Sequence, residues 1–343
     1  MSSIENLLSR FFEQEKEVLD WSLVNLDENT QAPSSEHYKK WIQEQKHGSM
    51  DFMERTQNER LQPGILESNV KCLVLFLVRY PKKLKAYEPQ TLIPQISSYA
   101  QGFDYHKVIY GMIGRIKEQM DCDFPGVILR PFADSSPVFE RDWAAEAGLG
   151  WRAKNTCLIS QKHGSGFFIG GFFLSQELNP FKMPSQDFCG KCTRCIDACP
   201  TQALENGSLD ARKCISYKTI EDPSPFGLHE VQTHEAWVFG CDICQQVCPW
   251  NYKHLEVKNE FSDAVELTLD DWLRLLQKGG GFKSQFGKSP MMRAGRKKMM
   301  RNIFRLAVTQ KRTDLIPLLS QIIENEDDVV LKSSLSKLLE LMQ

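Results

Sequence analysis

A chain of 343 residues exceeds what one compact core usually organises and points to two or three domains. Apolar residues make up 41% and charged residues 25%, which excludes a disordered or fibrous chain. The formal net charge of −2 indicates no partner by itself, so only the distribution of charge can.

The first residues, MSSIENLLSRFFEQEKEV, lack the apolar stretch of a secretory signal, carry acids and contain no twin-arginine pair. With Cys72–Val78 as the longest apolar run, too short to span a bilayer, we expect a cytoplasmic protein. Residues 1–65 read as helical, because apolar residues recur at helix spacing in SIENLLSRFFEQEKEVL. SNVKCLVLFLVRYP reads as a buried strand, HKVIYGMIGRIKEQM as an amphipathic helix and GVILRPFAD as a second strand. TCLIS and the glycine-rich GFFIGGFFLS add two more. Helices alternating with strands predict an α/β domain over residues 1–180.

Residues 181–255 hold the cysteines. Eight of the eleven lie between Cys189 and Cys248, and in a cytosolic chain such a cluster points to metal rather than disulfides. Cys72, Cys122 and Cys157 stand alone and read as small buried hydrophobes. CGKCTRCIDACP has the C-x2-C-x2-C-x3-C-P spacing of bacterial ferredoxins, in which the fourth thiolate serves the other cluster. CDICQQVCP repeats the last three cysteines, and Cys214 can supply the missing one. Crossing the fourth ligands gives Cys189, Cys192, Cys195 and Cys248 for one [4Fe-4S] cluster, and Cys214, Cys241, Cys244 and Cys199 for the other. The module is therefore ferredoxin-like, a short wire for single electrons. Zinc, which favours cysteine pairs across a longer spacer, fits less well.

Residues 256–343 begin with a helix capped by Thr268 in TLDDWLRLLQ and continue as helical stretches near 290–310, 313–324 and 327–342. They suggest a HEAT-like helical repeat segment. From Lys278 to Arg312 there are eleven Lys/Arg and no acid. Arg293, Arg296, Lys297, Lys298, Arg301 and Arg305 would crowd one side of a helix, a pattern expected of a phosphate-binding surface. No G-x-G-x-x-G turn or P-loop is present, so a redox centre at the end of the wire would be bound by other means.

With these motifs placed, the chain resembles the epoxyqueuosine reductases, through SSYAQGFDYHKV, ADSSPVFERDWAAEAGLGWRAKNTCLI, CGKCTRCIDACPTQAL, KCISY and FGCDICQQVCPWN in that order. The resemblance implies a cobalamin-binding N-terminal domain, two [4Fe-4S] clusters and a helical tail. It implies reduction of epoxyqueuosine to queuosine in the anticodon loop of tRNA by a monomer fed by an electron donor such as a ferredoxin or flavodoxin. Removing the epoxide oxygen as water takes two electrons and two protons, and the departing alkoxide needs an acid. By resemblance Asp134 is that acid, and a carboxyl beside a buried macrocycle is expected to have its pKa raised. Tyr105 is a candidate second donor. The resemblance also carries cobalamin contacts onto Arg60, Ser97, Asp134, Leu158, Ile169, Ser216, Asp242 and Ile243. His106 lies in a D-x-H, but Ile109 stands where the motif of histidine-ligated cobalamin proteins needs glycine, so cobalt ligation is not expected of it. Lys154 and Asn155 either hold cofactor amides or shape their loop. The alternatives are a reductive dehalogenase-like enzyme, which the missing twin-arginine signal disfavours, and a ferredoxin-like electron carrier, which would bind no corrinoid.

Overall fold

The computed structural model describes residues 3–27, 29–81, 84, 92–253, 267–277 and 280–342. Its N-terminal region is built on α1 (Ser3–Gln14), β1 (Val18–Asn25), β2 (Cys72–Arg79), α2 (Tyr105–Asp123) and β3 (Leu129–Ala133). A hairpin of two short strands, β4 (Trp151–Arg152) with β5 (Leu158–Ile159), precedes β6 (Phe167–Leu174). The sheet runs β1-β2-β6-β3 and every pairing is antiparallel. The alternation of helix and strand thus yields an α+β layer rather than a parallel doubly wound sheet. Helical residues 1–65 are also a correction, because β1 occupies Val18–Asn25 as an edge strand.

β2 is apolar throughout because both faces of the sheet are covered. α1 and α2 bury Leu8, Phe12, Ile109 and Ile113 against Val74 and Phe76 on one face. Trp143, Ala144 and Leu149 pack against Leu73, Leu75 and Phe173 on the other. The glycine pair in β6 is needed for this closeness. A Cβ on Gly171 would lie 2.6 Å from the Val74 carbonyl oxygen, and one on Gly170 2.7 Å from the Ile109 side chain.

The cysteine region is attached to this layer by main-chain pairing. Trp237–Phe239 runs parallel to Gln95–Ile96, and the amide of Ser97 donates to the Phe239 carbonyl at 2.9 Å. The tail contributes α3 (Leu269–Gln277), α4 (Gly295–Thr309), α5 (Ile316–Glu324) and α6 (Val329–Glu340). Thr268 caps α3 through a reciprocal pair with Asp271. Trp272, Ile303, Phe304 and Leu335 share one core with Ala100, Phe226, Val238 and Phe239, so the tail packs on the cysteine region.

α4 corrects the reading of the basic run. Arg305 is fully buried and gives both terminal nitrogens to the carbonyls of Glu235 and Trp237. Arg301, 3% exposed, donates to the carbonyls of Asp222 and Lys218 at 2.8 and 2.7 Å, and its guanidinium lies 4.4 Å from the centre of the Phe226 ring. Lys298 reaches the Ile220 carbonyl at 2.7 Å, Arg293 pairs with Glu221, Arg296 with Glu326 and Lys297 with Asp328. Lys298, Arg301 and Arg305 bolt the tail to the cysteine region, whereas Arg293, Arg296 and Lys297 make ion pairs nearer the surface. Burial pushes Arg305 down to about 9 and Arg301 down to about 10. Among the described residues no helix is long and apolar enough to cross a membrane.

Replacing Arg305 by Met removes both of its bonds to the carbonyls of Glu235 and Trp237, the second of them buried, so it should cost about 3 kcal/mol. Lys297→Ala should leave stability near that of the unmodified chain. Denaturant midpoints of the two variants check this; equal midpoints would contradict the bolt.

Candidate functional site

The eight clustered thiols fall into two neighbourhoods. Cys195 sits in the fields of Cys189 and Cys192, and Cys248 in those of Cys189 and Cys195. Cys214 is influenced by Cys199, and Cys241 by Cys214 and Cys199. Cys244 adjoins Cys241 and Cys214. Among the described residues no three His, Cys, Asp or Glu side chains close on the volume of a single ion. The thiols form two open quartets.

One quartet reaches the surface: Cys192 is exposed and Cys189 and Cys195 partly so, while Cys248 is buried. The deeper quartet has no exposed member; Cys241 packs against Ile215, Trp237 and Ile243, and Cys244 lies in the helical turn Ile243–Gln246. Burial, then repulsion between neighbours, pushes Cys248 up to about 11. Burial pushes Cys241 well above the usual thiol range, and the hydrogen bond with Cys157, then burial, does the same to Cys244. Such thiols ionise only beside a strong positive charge, which coordinated iron supplies. The donor set therefore fits two iron–sulfur clusters.

Lys154 and Asn155 shape these loops. Lys154 donates to the carbonyls of Gly190 at 2.7 Å and Cys192 at 3.1 Å, and the Asn155 amide to the carbonyl of Cys244 at 3.3 Å.

Asp242, next to Cys241, is 1% exposed. It accepts from the Ser97 hydroxyl and from the Ser98 amide at 2.7 Å, while burial pushes its carboxyl up. That seals the deep quartet against the loop leading into α2. Tyr80 and Tyr99 lie within electrostatic reach of both Asp242 and Asp134.

Asp134 follows β3 directly, with φ of 34°, a left-handed backbone rare for a side-chain-bearing residue. Its carboxylate is in a cleft open to solvent, with 68% of the side chain accessible. Tyr105 donates to it at 2.7 Å and the His106 Nε2 stands 3.6 Å away, while the His106 Nδ1 is 2.8 Å from Asp104. Tyr105 is stacked between His106 and Phe168. Crowding in the cleft pushes Asp134 up, but the hydrogen bonds from His106 and Tyr105 outweigh it and hold the carboxyl below its ordinary value. This corrects the expected raised pKa. The proton resides on the partners: His106 is pushed up, first by its bond to Asp134, and Tyr105 is pushed up by burial and then by the Asp134 charge. Ile109, fully buried, belongs to the core.

Arg60 is 8% exposed and its Nε donates to the Thr56 hydroxyl at 3.0 Å. Ser216 is half-buried two residues past Cys214. Leu158 and Ile243 are packed in the interior and Ile169 largely so; their side chains fill core positions.

Glu140 was not singled out by the sequence. Burial, then the Asp134 charge, pushes its carboxyl up to about 8, against a pull from Arg141 and Arg60. Its Oε1 is buried without a hydrogen-bond partner. An orphaned acid near Arg60 and Asp134 fits a bound group that carries amide arms, as a corrinoid does. A second cavity of about 770 Å³, lined by Gln43, His47, Glu54 and Arg212, is lined by none of these site residues.

Comparison with known proteins gives concordant matches. Residues 60–135 match the family model described as "Epoxyqueuosine reductase QueG, DUF1730", and residues 188–251 that of a 4Fe-4S double cluster binding domain. An epoxyqueuosine reductase of Cellulophaga algicola is 38% identical over 271 residues, covering 77% of this chain and 86% of the relative. One of Pseudomonas aeruginosa is 33% identical, covering 78% and 76%. The fold matches a crystal structure of epoxyqueuosine reductase with a tRNA-Tyr epoxyqueuosine-modified stem loop, at TM-score 0.82 and 21% identity, over 99% of this chain and 100% of that one. The Streptococcus thermophilus epoxyqueuosine reductase gives TM-score 0.82 at 22% identity, over 99% and 89%.

A carboxyl raised when folded stabilises at low pH and loses that contribution as pH climbs from its unfolded value toward its folded one. Wild-type protein should therefore lose stability relative to Glu140→Gln between about pH 4.5 and about pH 8. Melting temperatures of both across that range check it; parallel curves would contradict it.

Proposed function

The chain belongs to the epoxyqueuosine reductase family, and we propose that it reduces epoxyqueuosine to queuosine in the anticodon loop of tRNA, releasing the epoxide oxygen as water. The observation that carries the reading is the Tyr105–Asp134–His106 trio, open to solvent, with Tyr99 within electrostatic reach both of Asp134 and of Asp242 next to Cys241.

Cys189, Cys192, Cys195 and Cys248 would hold one [4Fe-4S] cluster, and Cys199, Cys214, Cys241 and Cys244 the other. Arg60, Ser216 and Glu140 would face cobalamin through its amide arms, with Ser97 and Asp242 closing the floor and Leu158, Ile169 and Ile243 packing behind. Bound there, clusters and cobalamin supply strongly reducing electrons one at a time.

The chain's own groups manage the proton. Opening the epoxide leaves an alkoxide that needs a proton as the carbon–oxygen bond breaks. Asp134 is the group that meets the substrate, and its strained backbone fixes its aim. Because it is ionised at rest, the first proton comes through it from the His106 imidazolium, with Tyr105 holding the carboxylate in place; the second, which lets the oxygen leave as water, comes from solvent, to which the Asp134 side chain is open. Asp104 on the far nitrogen of His106 fixes the ring and favours its charged form. Glu140, neutral at pH 7, adds no second negative charge to the cleft.

The rim suits RNA. Phe103, Lys107 and Tyr110 flank the trio along the chain and are exposed, and the Asp104 amide donates to the carbonyl of Lys288 at 2.7 Å. Exposed Lys283, Lys288 and Met292 continue that edge. Cations interleaved with aromatic faces support backbone contact and base stacking. The tRNA surface is therefore proposed for this rim, where the cations are free of the bolting role of α4. The electron donor would be a one-electron carrier reaching the exposed quartet.

Anaerobic turnover of epoxyqueuosine-containing tRNA by the reduced, corrinoid-loaded protein tests the assignment. Asp134→Asn should lower the rate about 10²-fold or more. His106→Gln should move the loss of activity at high pH to lower pH. Full activity in Asp134→Asn would remove it from the reaction, and failure to retain corrinoid would favour an electron carrier.

A further inference from the structure

The hairpin β4–β5 carries a contact that the proposed reaction does not use. Trp151 is 3% exposed, so its indole N–H has lost water and needs a partner. That partner is a sulfur: Nε1 donates to the Cys189 Sγ at 3.5 Å. The ring is held on two sides, edge-on to Phe188 with centroids 5.1 Å apart and to Trp250 at 5.0 Å. Trp151, Ala153, Ile159 and Cys248 form one small core against which Cys189 and Trp250 pack. Three aromatic rings therefore wall the surface quartet, and one of them aims a donor at a ligand sulfur. From the same hairpin, the Lys154 ammonium holds the carbonyls of Gly190 and Cys192.

Hydrogen bonds to a cluster's sulfurs and the charges near it set its reduction potential. A donor to a thiolate stabilises the more negative, reduced state, and a cation does likewise. We propose that Trp151 is a positioning residue for electron entry: its indole N–H, bonded to the Cys189 sulfur, makes the surface cluster easier to reduce, with Lys154 acting in the same direction. The hairpin belongs to the reductase layer, so the catalytic domain sets the potential of the entry cluster in the module attached to it. This rests on the reading of Cys189, Cys192, Cys195 and Cys248 as ligands of one cluster.

The test uses the full chain with both clusters reconstituted. Trp151→Phe keeps an aromatic ring in the wall and removes the N–H together with part of the bicyclic ring. Potentiometric titration followed by electron paramagnetic resonance should show one cluster shifted to more negative potential and the other unmoved, at unchanged iron content. Two unmoved potentials would overturn the proposal. A second measurement needs no variant: wild-type protein labelled with 15N in its tryptophan indoles should show a 15N hyperfine coupling to a reduced cluster, retained in Trp250→Phe. Should Trp151→Phe lose iron, that coupling decides, and its absence overturns the proposal. Wild-type protein that takes up no cluster at all would instead overturn the ligand reading, and this inference with it.

Discussion

The buried carboxylate of Asp242 is the joint on which the arrangement depends. It sits between Cys241 and Ile243, yet its two oxygens are taken by Ser97 and Ser98, more than a hundred residues earlier in the chain. Burying a carboxyl so completely is tolerable only because both oxygens are bonded. The chain turns into this joint at Gly240, with φ of 67°, where a Cβ would stand 2.6 Å from the Ser97 Cβ. Only glycine lets the cysteine loop and the serine loop approach this closely. The serine loop then continues into Asp104, Tyr105 and His106. One short path of chain thus links the deep thiol quartet to the groups around Asp134.

The tail serves the same joint from the other side. Arg301, Asn302 and Arg305 satisfy carbonyls in the segments 218–224 and 235–238, which flank the strand Trp237–Phe239 leading into Cys241. The helical tail is therefore structural support for the cysteine region at α4, while Lys283 and Lys288, before it, are exposed. Structural support and substrate contact are divided between two parts of one basic segment.

How much could be read beforehand follows from what each signal encodes. The cysteine spacings are local chemistry, and with Cys214 as the one cysteine of the region left over they give Cys199, Cys214, Cys241 and Cys244 as an expected ligand set without coordinates. The buried strand at Cys72–Arg79 was legible because both its faces are covered and its apolar run is unbroken. Val18–Asn25 was not, because an edge strand directly after an amphipathic helix prolongs the apolar pattern without a break. The basic run misled because counting charges cannot see carbonyl partners eighty residues away. The protonation of Asp134 had the wrong sign for a similar reason: an apolar strand end suggested desolvation, while Tyr105 and His106 arrive from α2. Glu140 was invisible because only the folded layer buries it beside Asp134 and Arg60.

If electrons reach the cleft through the deep quartet, removing that cluster alone must stop the reaction. The direct measurement is single turnover of an epoxyqueuosine-modified stem loop by pre-reduced, corrinoid-loaded wild type and by Cys214→Ser, the latter retaining its reduced surface cluster. The account predicts loss of one oxygen from the modified base with wild type and none with Cys214→Ser. Conversion by Cys214→Ser at the wild-type rate would contradict it.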